Sequence, residues 1–454
     1  MKIINPATEE VIQEIPEDDA NTLHSKYQKL KHGQQAWQLV AVAIRAKMLE
    51  KFAELLGDQI EYLSSVLTSE VGKPLQQSRN EINGARTRIK WLADNAEKYL
   101  KSELMTKEGN LEESIGYEPL GIICNISAWN YPWLVGVNVF VSALLAGNAV
   151  MYKPSEFSSL TGLEIEKLLI QSGVPSSVFQ VAIGGAEVGK VLLSLPFDGY
   201  FFTGSYRTGK FIYEQCASRM VPCQLEMGGK DPLYVAGDIL DIPQVAAATA
   251  DGAFYNNGQS CCSVERIYVQ ESVYDEYLSA FLKELSTWKI GPPTQAGVYF
   301  GPLTRKEQLN VLEKQVKDAL TKGARLMTGG KRMTGKGYYF EPTVLVDVNH
   351  DMDLMKEESF GPIIGIMKVK DDEEAIRYMA DTDYGLTAAV YTRDRNRAEK
   401  ILTQLNTGTA YWNCCDRVSA PLPWSGRNHS GFGVTLSHAG LQAFVKPKAW
   451  HLRG

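Results

Sequence analysis

The sequence predicts an α/β protein of two lobes, each built on a parallel, doubly wound sheet. Three observations predict it. From Gly116 onward, short apolar runs alternate with helical stretches, the pattern of strands buried on both faces. A second series of such runs begins near Asp231. The 454 residues exceed one typical domain, so two cores with a cleft between them are expected.

The elements follow in order. From about Gln35 to Leu104 the pattern is helical, because Met48, Phe52, Leu55, Leu56, Ile60 and Leu63 recur three and four apart among charges. Such helices pack on a sheet. Next come "LGIICNIS", "NAVMYKPS", "VFQVAIG", "GYFFTGS" and "CQLEMGG", read as buried strands. The second series comprises "RIYVQES", "FEPTVLVDV", "GPIIGIMKV", "LTAAVYT" and "TAYWNCC", with helices such as Tyr274 to Trp288 between them. No repeats, low-complexity tracts or long linkers interrupt this.

Composition narrows the function. Lys and Arg number 47 against 53 Asp and Glu, a net charge of −6, which argues against a nucleic-acid footprint and leaves a small molecule as the expected partner. "MKIINPATEE" has no apolar signal core, and the most hydrophobic stretch, Trp133 to Tyr152, is broken by Asn138, Ser142, Gly147 and Asn148. Neither export nor a membrane span is expected. Cysteines stand at 124, 216, 223, 261, 262, 414 and 415, an odd number without a spacing framework, as in a reducing cytoplasm. No Cys/His cluster has zinc-ligand spacing, so no metal is expected.

Five stretches carry chemistry. "NNGQSCCS" puts Cys261 and Cys262 in a Gly/Asn/Ser-rich turn, either as a buried structural pair or with one sulfur kept reachable for attack. In "FFTGSYRTGK", Gly204, Ser205 and Gly209 lie where a strand opens into a helix whose free N–H groups can meet a pyrophosphate; an ordinary capped helix would read the same, and the spacing is not Gly-x-Gly-x-x-Gly. "MYKPSE" sets Lys153 and Glu156 at the carboxyl edge of a buried strand. There they either face solvent or hold a ribose, and Glu156 would repel a 2′-phosphate and favour NAD over NADP. "QLEMGGKDP" places Glu226 on an apolar strand, either satisfied by backbone donors or raised in pKa as a general base. "ISAWNYPW" offers Asn130, between Trp129 and Tyr131, as a turn residue or an oxyanion donor.

Together these stretches resemble the aldehyde dehydrogenase superfamily. Phe254, Gly258, Gln259, Cys261 and Arg266 match its cysteine signature, and Leu225, Glu226, Gly228 and Gly229 its glutamate signature. "WNYP", "YKPSE", "FTGS" and "EESFGP" (Glu357 to Pro362) occur in the family's order, and the match runs from "NPATEE" to the last few residues. The resemblance implies an α/β aldehyde dehydrogenase fold with a Rossmann-like cofactor domain, a second α/β catalytic domain and a small β flap for oligomerisation. It implies a cofactor domain over residues 1–228 with 430–444, interrupted by a bridging hairpin at 101–119. A catalytic domain over 229–429 and a second oligomerisation segment at 445–454 complete the division. A homodimer or homotetramer is expected, with "LQAFVKPKAW" docking on the neighbouring subunit.

The same resemblance selects Cys261 as nucleophile. Its oxyanion would be held by the Asn130 amide and the Cys261 N–H, and Glu226 would activate water to hydrolyse the thioester. Lys153 and Glu156 would hold the adenosine ribose, Ser205 the pyrophosphate and Glu358 the nicotinamide ribose, with Phe360 beside the ring and Gln308 a further ribose contact. Trp129, Tyr131, Trp133, Trp412 and Trp424 would border the substrate tunnel, with Trp129 also a cofactor contact and Tyr131 and Trp424 substrate contacts. Arg417 would either read a distal carboxylate or be a solvated arginine paired with Asp416.

Departures lie near the C-terminal signature. Ser425, Asn428, Val434 and Thr435 break the family's pattern while Ser430, Gly431 and Gly433 keep it, and Ser263 stands where a smaller residue is usual. The short N-terminus and "LSHAGLQAF" resemble the compact succinate-semialdehyde dehydrogenase-like branch. Two other readings stand beside hydrolytic oxidation: a CoA-acylating or acyl-phosphate-reducing relative, and a non-catalytic scaffold. Glu226 argues against the first, intact Cys261 and Asn130 against the second.

Overall fold

The computed structural model describes residues 1–454. The five parallel strands of the first sheet bury nearly every side chain, because the helices between them cover both faces. Its spatial order is Gly431–Phe432, Cys223–Met227, Gly199–Gly204, Ile122–Ile126, Ala149–Lys153, Phe179–Val181, and only the first pairing is antiparallel. Pro132 opens the crossover helix Pro132–Leu145, where a missing N–H costs nothing. That helix is buried almost all round, and Phe140 sits 5.5 Å from Phe179 and 5.6 Å from Tyr152.

A second sheet of seven strands follows. Its order is Arg325–Thr328, Thr343–Val346, Ile363–Val369, Val264–Gln270, Asp231–Val235, Thr387–Tyr391, Thr409–Trp412, antiparallel only at the first pairing. The carboxyl ends of the first sheet supply the loops that carry Asn130, Ser205 and Gly228, and the loops that carry Cys261 and Phe360 lead into the amino ends of Val264–Gln270 and Ile363–Val369 in the second.

One expectation needs correction. The helical run does not reach Leu104: the long helix Leu75–Leu100 stops there, and Glu103–Glu108 is a strand of a hairpin with Leu111–Pro119. Its ladder partner, not its side-chain spacing, makes it a strand. The last strand, Val445–Arg453, runs antiparallel to Leu111–Pro119 of the same chain over nine residue pairs. The hairpin thereby becomes a three-stranded arm.

Leu75–Leu100 shows how one helix face serves both core and site. Its buried stripe contains Gln77, Glu81, Ala85, Arg88 and Leu92, so charged residues occupy positions that spacing assigns to the apolar side. Glu81 forms a fully buried ion pair with Lys73 and takes the Trp133 N–H at 2.9 Å. Removing one partner would strand the other's charge, typically a 3–5 kcal/mol loss.

Candidate active site

The cysteine loop is bent by three consecutive left-handed residues, Asn256 (φ 54), Asn257 (φ 59) and Gly258 (φ 66). Asparagine tolerates this conformation, and glycine is required at the third position because a Cβ would lie 2.5 Å from the Gly361 carbonyl oxygen. Hydrogen bonds fix the bend. The Asn256 N–H donates to Gln77 Oε1 at 3.1 Å, Asn257 Nδ2 to the carbonyls of Gly301 and Pro302 at 2.9 Å, and the Thr304 N–H to Gln259 Oε1 at 3.0 Å. Cys261 emerges half-buried at the end of this brace.

Two cavities meet at that sulfur. One, of about 370 Å³, is walled by Tyr131, Leu134, Tyr255, Val418 and Trp424 and contains Arg88, Asp416 and Arg417. The other, of about 270 Å³, is lined by Trp129, Asn130, Gly204, Ser205, Gly228, Gln308, Glu358 and Phe360. Thr203, Glu226 and Cys261 border both.

Cys262 borders only the first cavity. Its Sγ donates to Asp416 Oδ1 at 3.0 Å, and its pKa is pushed well up by contact with Cys261, then by burial and the Asp416 carboxylate. Such a thiol stays protonated and inert.

Asn130 is held from three sides. Its carbonyl accepts from Lys73 Nζ at 2.7 Å and Asn256 Nδ2 at 3.2 Å, while its own Nδ2 donates to the Gln259 carbonyl at 3.1 Å. An amide has two N–H donors, so one is left for a ligand.

Glu226 lies on the strand Cys223–Met227, with Gly431 as its ladder neighbour. Its donors are side chains rather than backbone: the Thr435 hydroxyl and, at 3.4 Å, Gln224 Nε2. Burial lifts its pKa to about 7 against these bonds and the charge of Arg88. That is the range of a general base at neutral pH.

Glu358 rests on Gly228 and Gly229. The Gly229 N–H donates to its Oε1 at 3.1 Å, and a Cβ on Gly228 would come within 2.1 Å of that oxygen. Burial, then the neighbouring Glu265 carboxylate, raises the Glu358 pKa to about 8. Glu265 pairs with Lys230 at 2.6 Å and accepts from the N–H groups of Ser359 and Phe360 at 3.1 Å, holding Phe360 at φ 47 with its ring 5.5 Å from Trp129. Gln308 spends its amide on the Ser359 carbonyl at 2.6 Å, so it supports this loop.

Ser205 precedes the helix Tyr206–Ala217 without capping it, and its hydroxyl donates instead to Thr208 Oγ1 at 3.1 Å. The helix N–H groups remain available beside Gly204.

Several expected site residues do not line these two cavities, or not the one expected. Gly209 lines neither cavity; it lets the helix approach its strand, since a Cβ there would be 2.3 Å from Met227 Sδ. Lys153 and Glu156 sit at the end of Ala149–Lys153 and border neither cavity; Lys153 Nζ donates to the Pro154 carbonyl at 3.2 Å and Glu156 accepts from the Ser155 hydroxyl at 3.1 Å. Trp133 is fully buried in the first core, Trp412 faces outward with Nε1 on the Thr392 carbonyl, and Trp129 stands on the Glu358 side, so none of the three walls the first cavity. Arg417 is exposed at that cavity and makes no ion pair with Asp416, whose Oδ1 is occupied by Cys262 and Ser260.

Sequence reasoning passed over Thr435, Arg88 and Asp416 as site components. Thr435 had a signal, since it breaks the family's pattern. Arg88 had another, a charge three after Ala85 and four before Leu92 on an apolar stripe. Asp416 in a left-handed turn (φ 47) had none.

A thiol and a carboxyl shared by a small-molecule cavity and a second cavity at the carboxyl edge of a Rossmann-like sheet define a dehydrogenase site. The family model described as "Aldehyde dehydrogenase family" matches residues 1–450, and the chain belongs to that family. It is an oxidoreductase acting on aldehydes with NAD or NADP. It is 34% identical to the chloroplastic betaine aldehyde dehydrogenase of Amaranthus hypochondriacus, over 98% of this chain and 91% of that one. Among solved structures, it is similar to 3,6-anhydro-L-galactose dehydrogenase in complex with NADP (TM-score 0.95, 32% identity, 100% of this chain and 96% of that one). It is also similar to indole-3-acetaldehyde dehydrogenase with NAD+ (TM-score 0.97, 30% identity, 100% and 93%). No helix is long and apolar enough to cross a membrane.

Proposed function

We infer that the chain oxidises an aldehyde to its carboxylic acid through a covalent Cys261 intermediate that Glu226 helps to hydrolyse. One observation carries this: Cys261 and Glu226 border both cavities, whereas Cys262 borders one. The Cys261 thiol gives its proton to water and its sulfur bonds to the aldehyde carbon, while the free Asn130 N–H and the Cys261 N–H hold the oxyanion. A dinucleotide held by the Ser205 helix end, Glu358 and Phe360 would supply the acceptor for the hydride lost from that carbon, and the oxyanion collapses to a thioester. Glu226 takes a proton from water, hydroxide attacks the thioester, and the carboxylate leaves as the thiol is restored.

Residues of the second cavity fit a dinucleotide. The uncapped helix at Ser205 offers N–H groups to a pyrophosphate, and Glu358 offers a carboxyl to a ribose with Phe360 beside it. Lys153 and Glu156 would hold the adenosine ribose, and Glu156 would disfavour NADP. The domain division at 228/229, with arm segments 101–119 and 445–454, a homodimer or homotetramer and a cytoplasmic setting complete the reading. For substrate we take a slim aldehyde with a distal carboxylate, such as succinate semialdehyde, and Arg417 at the rim as an outer contact for that group.

The test is purified protein with NAD, an aldehyde panel and a record of reduced cofactor, with and without CoA. Glu226→Gln should give one burst and then little turnover. Full turnover in that variant, or a dependence on CoA, would replace the hydrolytic reading.

A further inference from the structure

The charged groups of the larger cavity can be matched with their partners one by one. Glu81 is paired with Lys73; Glu226 accepts from Thr435 and Gln224; Asp251 accepts from the Tyr299 hydroxyl at 2.7 Å; Asp416 accepts from Cys262 and Ser260. Every carboxyl therefore has a donor from the protein. Neither guanidinium has a carboxylate at ion-pair distance, and Glu226 and Glu81 act on Arg88 only from farther off. Arg88 is buried, and its Nη1 donates to Asn138 Oδ1 at 2.9 Å and, at 3.5 Å, to the Leu134 carbonyl, both neutral acceptors. Its Nε and Nη2 have no protein acceptor, and Arg88 makes no ion pair.

A buried cation without a counter-charge is costly, so a site that keeps one is matched to an anion that arrives. Burial brings the Arg88 pKa down only to about 10, which leaves it charged at neutral pH. Arg417, the other guanidinium, is exposed, where water and salt weaken a pair.

We propose that Arg88 is the specificity-determining residue of the substrate cavity, binding a carboxylate or similar compact anionic group carried by the aldehyde while the carbonyl reaches Cys261. The proposal rests on Cys261 as the nucleophile. Asn138 fixes one arm of the guanidinium and leaves the rest of the fork for bidentate contact. Arg88 and Cys261 border the same cavity, so the anion and the carbonyl are joined by a short linker. A cationic aldehyde, of the kind named for the betaine aldehyde dehydrogenase relative, would bring its charge against the Arg88 guanidinium instead.

The test compares kcat/KM for succinate semialdehyde, butanal and 4-aminobutanal in the wild type, Arg88→Met, Arg88→Lys and Arg417→Ala, with folding checked by thermal unfolding. The wild type should prefer succinate semialdehyde to butanal by about tenfold or more, and 4-aminobutanal should be the poorest. Arg88→Met should shrink that preference about tenfold or more, through KM, with Arg88→Lys restoring part of it and Arg417→Ala changing it less. A preference that survives Arg88→Met, an equal loss for succinate semialdehyde and butanal, or a wild-type preference for 4-aminobutanal would overturn the assignment. Butanal oxidation reports on Cys261 chemistry separately. Should the wild type oxidise none of the three, the activity reading falls, and calorimetric titration with succinate still decides for Arg88: binding weakened about tenfold in Arg88→Met, and in Arg88→Gln if the Met variant is unfolded, supports it, and equal binding or none refutes it.

Discussion

The Thr435 hydroxyl donates to Glu226 Oε1 across 209 positions of sequence, tying the C-terminal signature to the base of the reaction. The bond favours the ionised carboxyl, while burial disfavours it and leaves the pKa at about 7. Water activation needs the ionised form, so the deacylation rate should rise with pH through about 7. Thr435→Val removes a donor to the anion and should move that limb upward by about 0.7 pH, the equivalent of ~1 kcal/mol for one hydrogen bond. A single-turnover pH profile that does not move would detach Thr435 from the role.

Cys261→Ala should abolish oxidation, and Cys262→Ala should keep most of it. The latter deprives Asp416 of a donor, so a stability loss of about 1 kcal/mol is expected on denaturant unfolding. Inactivity of Cys262→Ala with an intact fold would reverse the assignment of the nucleophile.

Asn130→Ala should slow acylation by roughly 10² to 10³, the usual loss for one oxyanion donor. Rapid-mixing kinetics with NAD read this directly. A loss of NAD affinity instead, with acylation intact, would make Asn130 a brace for the cysteine loop alone.

NAD should be used with higher kcat/KM than NADP, and Glu156→Gln should narrow the gap by removing a charge near the 2′ position. Equal use of the two cofactors by the wild type would contradict the placement of Glu156.

Much of this architecture was readable in the sequence because it is local. The apolar runs that became the two sheets each fall within a few residues, and "GQSC" and "LEMGG" point to Cys261 and Glu226 through their resemblance to the family's signatures. What stayed hidden depends on distant partners. Glu103 and Leu104 read by spacing as the tail of a helix, and the hairpin at 101–119 comes only with the family resemblance, because Leu111–Pro119 is what makes them a strand. Trp133 and Trp412 look like tunnel walls because they neighbour site residues in sequence, yet one turns into the core and the other outward. Arg88 is recognisable as unmatched only when every neighbouring carboxyl has been assigned to another donor.

The arm joins residues made far apart in time. Lys448 meets Glu118 across 330 positions, so a ribosome adding about 5–20 residues per second delivers the hairpin tens of seconds before the strand that completes it. Gly431 and Phe432, which flank the Glu226 strand, also arrive late. Through that interval the nascent chain carries an open hairpin edge and an unfinished base site, and the window in which another copy, or a chaperone, can capture it is written into the order of its strands.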